Sequence, residues 1–439
     1  MKETVHPSAV QGRLTAPASK SYAQRTLAAS LLVPDSDNPA GWSELRNMGL
    51  CNDTSAALEA VQRLGAEVRY GDNKGTYYVQ GGFLKHKPGE LNIGESGLAA
   101  RLFTPIAAQS PDPVTVTGHG SILKRPVVTS MAGPLRDLGA KVSFAEGGFL
   151  PLTISGPLRG GIVEVDGSLS SQFITGLLMA SPLSERDTQL IVRNPKSVPY
   201  LAMTLEVLRA FGISVSHAAD YTEFIIPGGQ KYKAAVYNIE GDWSGASCLL
   251  VAAATAGMPG GRGVTVDNLN PRSLQADRAI VEALTRAGAP MDLCGHVLTV
   301  RRSETLRGFE FDATDCPDLF PALAALAAFC EGTTVLRGTT RLTHKESDRA
   351  ATIAAEFAKL GVAIDLSGPD VMAVTGVREP GAALAVKDVL LDSHNDHRIA
   401  MATAVAALRA DKPVIIDGAE AVDKSYPCFW DDLGSICLK

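Results

Sequence analysis

The sequence predicts an α/β (α+β) fold built from six related units. A glycine follows an apolar helix end at nearly constant intervals of 74, 73, 76, 73 and 73 residues. A polar turn that opens an Ala- and Leu-rich helix recurs in phase with these glycines, and self-similarity at a fixed period decides the architecture first. The six glycines are Gly65, Gly139, Gly212, Gly288, Gly361 and Gly434.

Each unit of roughly 73 residues is too long for a solenoid repeat and short for an independent domain. We therefore expect two bodies of three units each. Residues 141–144 and 152–155 read as two strands around Gly147-Gly148, and residues 213–216 and 223–227 repeat the pattern. The sequence thus predicts a helix before each glycine and a strand after most of them.

The polar turns predict where buried helices begin. Ser, Asp and Asn side chains accept hydrogen bonds from the first-turn N–H groups of a helix, so capping would explain any single turn. A helix that is apolar nearly all round is a buried helix. The turns occupy residues 18–21, 94–97, 169–172, 242–245, 315–318 and 393–396.

Cations lie in or beside these turns, where each opposes the helix dipole by about 0.3–1 kcal/mol. A bound anion reverses that balance, because helix N-termini present free N–H groups to phosphate and Arg adds bidentate forks. We therefore expect a small, strongly anionic substrate. The cations are Lys20, Arg25, Arg101, Arg125, Lys345, Arg349, Arg398 and Lys424.

Composition excludes several classes of protein. No apolar run approaches the roughly 20 residues that a membrane span needs, and residues 1–7 lack the apolar core of a signal peptide. Seven scattered cysteines without a C-x-x-C pair favour free thiols in a reducing cytoplasm. The net charge of −6 gives no support for nucleic-acid binding.

Common cofactor and metal motifs are absent from the sequence. It contains no G-x-x-x-x-G-K-[ST], no G-x-G-x-x-G after a strand and no G-x-S-x-G. His394 and His397 lie three residues apart, without the H-E-x-x-H pattern or the nearby Cys pair of a zinc site. They are interpreted as caps or anion contacts, and no metal is expected.

Five short motifs carry the candidate chemistry, at residues 16–25, 170–172, 344–349, 395–398 and 423–427. In the first motif, Lys20 offers a positive charge, Ser21 a hydroxyl group, and Arg25 a guanidinium that can donate two parallel hydrogen bonds. Ser21 and Arg25 are one helical turn apart, so they can share a side. For the mixed charges of 344–349, a solvated helix face is the alternative interpretation.

Together these motifs resemble the 5-enolpyruvylshikimate-3-phosphate synthase family, also called 3-phosphoshikimate 1-carboxyvinyltransferase. They occur in the family's order along residues 16–427. The matching segments are Ser19-Lys-Ser21 with Arg25, Gly94-x-x-Gly97 with Arg101, Lys124-Arg-Pro126, Asp166-Gly-Ser-Leu-Ser-Ser-Gln172, Ser197-x-Pro-Tyr200, Lys345-Glu-x-Asp-Arg349, Asn395-Asp-His-Arg398 and Lys424.

The resemblance implies a two-domain enolpyruvyl transferase fold of six βαβαββ units with buried parallel helices. Domain one would comprise residues 1–19 plus 239–439, domain two residues 20–238, and the active site would lie in the cleft between them. The implied reaction transfers the enolpyruvyl group of phosphoenolpyruvate to the 5-hydroxyl of shikimate 3-phosphate, a step of chorismate and aromatic amino-acid biosynthesis. It implies a cytoplasmic monomer that needs no cofactor.

The resemblance also implies residue roles. Asp318 would be the base for the 5-hydroxyl, Glu346 and Lys424 would exchange protons with the methylene carbon, and Lys20 would lie between both anions. Shikimate 3-phosphate would contact Lys20, Ser21, Arg25, Ser170, Ser171, Gln172, Ser197, Asp318 and Lys345. Phosphoenolpyruvate would contact Lys20, Gly97, Arg125, Gln172, Arg349, Arg398 and Lys424.

Four positions depart from the family pattern. Glu95 and Leu98 replace a common Asn and Thr, and Val198 replaces a common lysine. Arg341 occupies a position that is often a polar substrate contact. Glu95 would bring negative charge near a bound anion, so these changes bear on phosphoenolpyruvate affinity and on inhibition by glyphosate.

Three other functions are weighed against this one. The sister enolpyruvyl transferase acting on UDP-N-acetylglucosamine usually carries a cysteine in the loop corresponding to residues 117–125, which has none here. A catalytically dead anion-binding scaffold is disfavoured by Asp318, Glu346 and Lys424. A nucleic-acid end-processing enzyme with related repeats is disfavoured by the negative charge.

Overall fold

The computed structural model describes residues 1–439 except 36–40, 86, 88, 304, 344, 378, 380 and 439. His344, which opens the predicted 344–349 motif, lies outside the described residues.

Twelve α-helices occur in the described residues, and they alternate between two kinds. Odd-numbered helices follow the polar turns and are buried nearly all round, whereas even-numbered helices bury one face. The helices are α1 (Lys20–Leu31), α2 (Asn52–Arg63), α3 (Gly97–Ala107), α4 (Thr129–Asp137), α5 (Gln172–Ala180), α6 (Val198–Ala210), α7 (Trp243–Ala256), α8 (Ile280–Ala287), α9 (Phe320–Ala327), α10 (Arg349–Lys359), α11 (His397–Ala407) and α12 (Phe429–Ile436).

Short strands separate the helices. Most alternate buried with exposed residues, as expected where one face of a sheet packs on helices and the other meets water. The strands are β1 (Lys2–Val5), β2 (Gly12–Thr15), β3 (Trp42–Arg46), β4 (Glu67–Tyr70), β5 (Tyr77–Gln80), β6 (Glu90–Asn92), β7 (Val114–Thr117), β8 (Lys141–Phe144), β9 (Leu152–Ser155), β10 (Gly161–Asp166), β11 (Thr188–Arg193), β12 (Ser216–His217), β13 (Glu223–Ile226), β14 (Val236–Asn238), β15 (Val264–Asp267), β16 (Met291–Cys294), β17 (Val297–Val300), β18 (Leu306–Arg307), β19 (Glu310–Asp312), β20 (Cys330–Glu331), β21 (Thr333–Arg337), β22 (Ala363–Asp365), β23 (Val371–Thr375), β24 (Leu390–Asp392) and β25 (Val414–Asp417).

The main sheets share one topology. In the sheet β6-β7-β9-β8, β6 and β7 are parallel, and β9 and β8 continue antiparallel. The sheets β10-β11-β13-β12, β14-β3-β5-β4, β2-β15-β17-β16 and β19-β21-β23-β22 repeat this order. A sixth sheet, β24-β25-β1, has three strands. The repeated unit is therefore strand, buried helix, strand, outer helix and two strands, as expected.

The chain divides into two compact units, each with three of these sheets. The continuous unit is Ala18–Ile239, and the discontinuous unit combines Met1–Pro17 with Glu240–Lys439. Within the continuous unit α3 packs against α5 and α1, and within the discontinuous unit α7, α9 and α11 pack against one another. Each unit thus has a core of three buried helices under its sheets.

Five of the six glycines of the series end an outer helix as predicted. Gly65, Gly139, Gly212, Gly288 and Gly361 adopt φ between 77° and 119°, the left-handed conformation that glycine supplies at helix ends. The expectation for Gly434 is wrong, because it lies inside α12. No later strand follows α12 in the described residues, and β1 pairs with β25 instead. Residues 213–215, expected in a strand, precede the shorter β12.

No helix in the described part of the chain is long and apolar enough to cross a membrane.

Candidate active site

In the continuous unit, the N-terminal ends of the three buried helices lie close together. Ser96, the N-cap of α3, donates its hydroxyl to Gln24 of α1 at 3.3 Å. Arg101 of α3 donates to Gln172 Oε1, the first residue of α5, at 3.0 Å. These bonds bring the predicted motifs at 16–25, 94–101 and 170–172 into one region.

Arg25 is buried between three helices. Its Nε donates to Thr204 Oγ1 at 3.0 Å, its Nη1 to the Ser21 carbonyl at 3.0 Å, and its Nη2 to Thr175 Oγ1 at 3.3 Å. Burial lowers the pKa of the Arg25 guanidinium to about 10. All of these acceptors are neutral, so the charge of Arg25 can still be satisfied by an anionic ligand.

Lys20 begins α1 and forms an ion pair with Asp53. Its Nζ lies 2.8 Å from Asp53 Oδ2, and both side chains are mostly buried. Asp53 lies in the first turn of α2, where a carboxylate is favoured by the helix dipole. Asp53 therefore holds the ammonium of Lys20 at the start of α1, and the dipole of α2 stabilises the Asp53 carboxylate.

Two guanidinium groups and an amide surround Gly97, the first residue of α3. A Cβ atom at Gly97 would lie 2.9 Å from Arg125 Nη1, 3.2 Å from Arg101 Nη1 and 3.6 Å from Gln172 Oε1. Only a residue without a side chain leaves these groups where they are. A helix N-terminus beside two arginines is an arrangement suited to an anion.

The carboxylate of Glu95 caps the 3₁₀ helix of residues 120–124. Its Oε2 accepts from Ser121 N at 2.7 Å. A Cβ atom at Gly120 would lie 2.4 Å from the Glu95 carboxyl carbon, so glycine makes the approach possible. Arg125 donates to Ser121 Oγ at 2.8 Å and to the Glu95 carbonyl at 3.3 Å. Glu95 therefore helps to hold the loop that carries Arg125.

The predicted serines occupy helix starts in the same unit. Ser170 Oγ accepts from Gln172 N at 3.2 Å, and Ser171 is buried immediately before α5. Ser197 precedes α6 with φ 54° and is buried. Ser21, in the first turn of α1, is partly exposed. These hydroxyls lie at the same helix ends as the cations.

In the discontinuous unit, one carboxylate collects three cations. Asp318 lies 2.7 Å from Arg349 Nη1, 3.2 Å from Lys345 Nζ and 3.4 Å from Arg398 Nη2. The Asp318 side chain keeps 26% of its surface exposed. The motifs at 315–318, 345–349 and 395–398, distant in sequence, thus meet at one carboxylate.

These cations change the acidity of Asp318. Burial by itself would raise its pKa, but Arg398, Lys345 and Arg349 together hold the pKa well below its usual range. Burial lowers the pKa of the Lys345 ammonium more than Asp318 raises it. Asp318 is therefore ionised, and an anionic ligand could compete with it for Lys345, Arg349 and Arg398.

Arg349 is fully buried and is fixed by two further carboxylates. Its Nε lies 2.9 Å from Asp396 Oδ2, and its Nη2 lies 2.5 Å from Glu346 Oε2. Asp396 also caps α11 by accepting from Arg398 N at 3.0 Å. One carboxylate thereby orients Arg349 and begins the helix that carries Arg398.

Lys424 ends a 3₁₀ helix and is nearly buried. Its Nζ donates to the carbonyl of Asn395 at 2.7 Å. The bond ties the last of the five motifs to the turn before α11.

Sequence reasoning missed the supporting residues. Asp53, the partner of Lys20, was not among the candidate residues, because no sequence pattern links it to a lysine 33 positions earlier. Thr175 and Thr204, which cradle Arg25, looked like ordinary helix residues. Asp396 stood inside a recognised motif, where its capping position was the available signal.

The described residues contain no group of three or more His, Cys, Asp or Glu side chains that could hold a metal ion. All seven cysteines lie among the described residues and are free thiols.

Comparison with known proteins identifies the family of the chain. The family described as EPSP synthase (3-phosphoshikimate 1-carboxyvinyltransferase) matches residues 5–433. A 3-phosphoshikimate 1-carboxyvinyltransferase of Aeropyrum pernix is 40% identical over 433 residues, covering 98% of this chain and 95% of the relative. One from Clostridium kluyveri is 35% identical over 437 residues, covering 99% and 96%.

Solved structures of similar fold include members of the same family. An EPSP synthase from Acinetobacter baumannii superposes with a TM-score of 0.81 at 26% identity, covering 100% of this chain and 98% of that one. The enolpyruvyl transferase NikO from Streptomyces tendae has a TM-score of 0.76 at 16% identity, covering 99% and 96%, and supports the fold alone. By sequence over nearly its whole length, the chain belongs to the EPSP synthase family.

Proposed function

We propose that this protein transfers the enolpyruvyl group of phosphoenolpyruvate to the 5-hydroxyl of shikimate 3-phosphate and releases phosphate. The observation that carries the proposal is the set of three cations around Asp318. Two substrates that each bear phosphate and carboxylate groups must be brought together against their own repulsion. Cations arranged around a potential base can offset the repulsion between the substrates and place the base beside the reacting hydroxyl.

Asp318 is proposed as the base for the 5-hydroxyl. A carboxylate with a strongly depressed pKa is a weak base, so its cations must be engaged elsewhere during the reaction. Anionic substrate groups that bind Lys345, Arg349 and Arg398 compete with Asp318 for them. Substrate binding would thereby raise the basicity of Asp318 when a proton has to be accepted.

Glu346 and Lys424 are proposed to exchange a proton with the methylene carbon of phosphoenolpyruvate. The 5-hydroxyl oxygen adds to C2 of phosphoenolpyruvate while C3 gains a proton. The tetrahedral intermediate then loses a proton from C3 while the C2–O bond to phosphate breaks, so that the C2=C3 double bond re-forms as the enol ether and phosphate departs. Glu346 touches Arg349, and Lys424 touches the turn before Arg398, so both belong to the same cluster.

The continuous unit supplies the remaining proposed contacts. Arg25, Ser170, Ser171 and Ser197 are assigned to shikimate 3-phosphate, with Ser21 beside them. Gly97 and Arg125 are assigned to phosphoenolpyruvate, while Lys20 and Gln172 are assigned to both substrates. The buried charge of Arg25 and the arginines around Gly97 support these assignments. The domain bounds, the cleft, the monomeric state and the cytoplasmic location stay predictions.

Phosphate release is the direct test. We expect release with phosphoenolpyruvate plus shikimate 3-phosphate and none when UDP-N-acetylglucosamine is the acceptor. Asp318→Ala should still bind both substrates in calorimetry but lose about 100-fold or more in kcat. Asp365→Ala, at an exposed strand position of the same unit, is the matched control and should turn over normally.

Other outcomes would contradict the proposal. Release only with the sugar nucleotide would move the protein to the sister activity. Binding of phosphoenolpyruvate without release would indicate an inactive scaffold. Wild-type turnover by Asp318→Ala would remove Asp318 from the role of base.

A further inference from the structure

Glu356 is a buried carboxylate on α10, two helical turns beyond Arg349 and outside the set of residues assigned to substrate. Only 2% of its surface is exposed. Its oxygens lie 2.9 and 3.0 Å from Lys359 Nζ, on the same helix. They also lie 2.9 Å from Asp392 N and 2.8 Å from His394 Nε2. One carboxylate therefore joins α10 to the turn of residues 392–396 that precedes α11.

This turn has a backbone that needs support. His394 adopts φ 51° and Asn395 adopts φ 56°, so two consecutive residues with side chains are left-handed. Such residues persist where the surrounding structure over-determines them, and they cluster at functional sites. The bonds from Glu356 flank the strained pair: one reaches the backbone of Asp392, and the other reaches the side chain of His394.

The conformation of the turn sets the position of three cations. The Asn395 carbonyl accepts from Lys424 Nζ at 2.7 Å. Asp396 binds Arg349 Nε at 2.9 Å and caps α11 through Arg398 N at 3.0 Å. A turn that relaxed to ordinary φ values would redirect the Asn395 carbonyl and move the start of α11.

We infer that Glu356 is a positioning residue that holds the left-handed turn of residues 392–396 and thereby places Lys424, Arg349 and Arg398 for the reaction. This inference rests on the proposed function. The ion pair with Lys359 offsets the desolvation of the Glu356 carboxylate. The bonds to Asp392 and His394 do the positioning, and they are separable from that pair by mutation.

The test compares three single variants by steady-state kinetics. Glu356→Ala removes both turn bonds, and kcat/KM for phosphoenolpyruvate should fall about 10- to 100-fold, because the displaced cations stabilise the transition state less well. Glu356→Gln keeps an oxygen for Asp392 N and an NH₂ group for a neutral His394 ring, so it should stay within about 3-fold of wild type. Lys359→Met leaves the turn bonds intact and should also stay within about 3-fold.

A second-site variant separates positioning from general stability. In the Glu356→Ala background, His394→Gly lets the turn keep φ > 0 without strain and should recover at least about 5-fold of the lost kcat/KM. If Glu356→Ala does not fold, Glu356→Gln combined with Lys359→Met removes both charges of the ion pair, and it should retain turnover through the same two turn contacts.

Several results would overturn the inference. These are wild-type kinetics for Glu356→Ala, an equal loss in Lys359→Met, absence of rescue by His394→Gly, or loss of turnover in a folded Glu356→Gln/Lys359→Met protein. Failure of the wild-type protein to release phosphate would instead contradict the proposed function. Affinity for shikimate 3-phosphate alone, measured by calorimetry, should fall less in Glu356→Ala than kcat/KM for phosphoenolpyruvate, since most of the contacts assigned to shikimate 3-phosphate lie in the continuous unit, away from the turn.

Discussion

Arg25 is a buried cation. Only 1% of its surface is exposed, and its hydrogen-bond acceptors are hydroxyl and carbonyl oxygens. Burial without a carboxylate partner costs folding free energy. Thr175 and Thr204 also bond each other at 2.9 Å, so they do not depend on the guanidinium. Under the proposed function, this cost in stability keeps the Arg25 guanidinium available for the anionic substrate.

Arg25→Met should therefore separate binding from stability. We expect the free energy of unfolding to stay the same or rise by about 1–4 kcal/mol, because a buried charge is replaced by an apolar chain. Affinity for shikimate 3-phosphate should fall about 100-fold, since two charge-assisted hydrogen bonds of roughly 1.5 kcal/mol each are lost. Urea unfolding and calorimetry measure the two quantities.

Arg209→Met, at an exposed position of α6, is the control and should change neither quantity. A large loss of stability in Arg25→Met would mean that Arg25 is a structural cation.

Asp277 is a second buried charge, and it makes stability depend on pH. Its Oδ2 accepts from Ser244, and its Oδ1 has no hydrogen-bond partner among the described residues. Burial, with the charges of Asp318 and Asp242, raises the pKa of Asp277 to about 6, although Arg398 and Ser244 oppose the rise. A raised carboxyl pKa favours the folded state while the group is protonated, and that stability is lost as pH rises through about 6.

Asp277→Asn should remove this dependence. At pH 8 the variant should be more stable than wild type by up to about 3 kcal/mol, from a shift of roughly two pKa units at 1.36 kcal/mol each. At pH 4, close to the ordinary pKa of an Asp carboxyl, the difference should largely disappear. Urea unfolding at both pH values checks this, with Asp137→Asn on the exposed side of α4 as control. An equal difference at both pH values would contradict it.

Among elements, a single contact recurs in three of the repeated units. A cation in the loop after the second strand donates to a carbonyl in the turn after the first strand. The pairs are Arg125 with the Glu95 carbonyl at 3.3 Å, Arg341 with the Thr314 carbonyl at 2.6 Å, and Lys424 with the Asn395 carbonyl at 2.7 Å. Parallel first and second strands place these loops at the same sheet edge. In these three units the repeat therefore positions a cation beside the turn that precedes the buried helix, α3, α9 or α11.

The helix start at Gly97 yields a prediction at this scale. Gly97→Ala should favour α3 by up to about 1 kcal/mol, because alanine loses less backbone entropy in a helix. The new Cβ would crowd the flexible ends of Arg101 and Arg125. We expect stability to be kept while KM for phosphoenolpyruvate rises about 10-fold or more, as guanidinium groups leave their positions.

Gly133→Ala in α4 is the matched control, since a Cβ there would meet no atom within 4 Å. An unchanged KM in Gly97→Ala would show that the two arginines do not define the phosphoenolpyruvate contacts.

At the scale of the whole molecule, the N-terminal residues 1–17 complete the discontinuous unit. β1 pairs antiparallel with β25, and β2 pairs parallel with β15. The Ala9 carbonyl also accepts from Leu438 N at 2.8 Å. Without β1 and β2, the inner strands β25 and β15 would become edge strands with unpaired backbone groups, and such edges promote aggregation.

A fragment of residues 18–239 should therefore fold alone, whereas residues 240–439 should require residues 1–17. Fusing residues 1–17 after residue 438 through a flexible linker of about ten residues should restore a cooperative transition. Circular dichroism during heating and size-exclusion chromatography compare the three fragments with the full chain. A cooperative, monomeric 240–439 fragment would contradict the prediction.

Much of this organisation could be predicted because it is local. Helix starts such as those at Asp242 and Asp396 can be predicted because Asp is a favoured N-cap residue. Five of the six glycines end helices because the left-handed backbone conformation there favours glycine. The expectation for Gly434 was wrong because the spacing of the glycines continues into α12, although in the described residues no strand follows that helix and no helix end is needed at Gly434. The assigned roles of the site residues and the domain bounds stay predictions.

The six-unit α/β repeat, the helix starts and the family motifs follow from the amino-acid sequence, since they depend on period and residue type. The meeting of particular charges depends on how the chain packs: Lys20 with Asp53, three cations with Asp318, and Glu356 with the turn before α11. Those partners are separated along the chain by 27 to 80 residues. Pairing at such separations is set by how helices and sheets pack, and no local pattern encodes it.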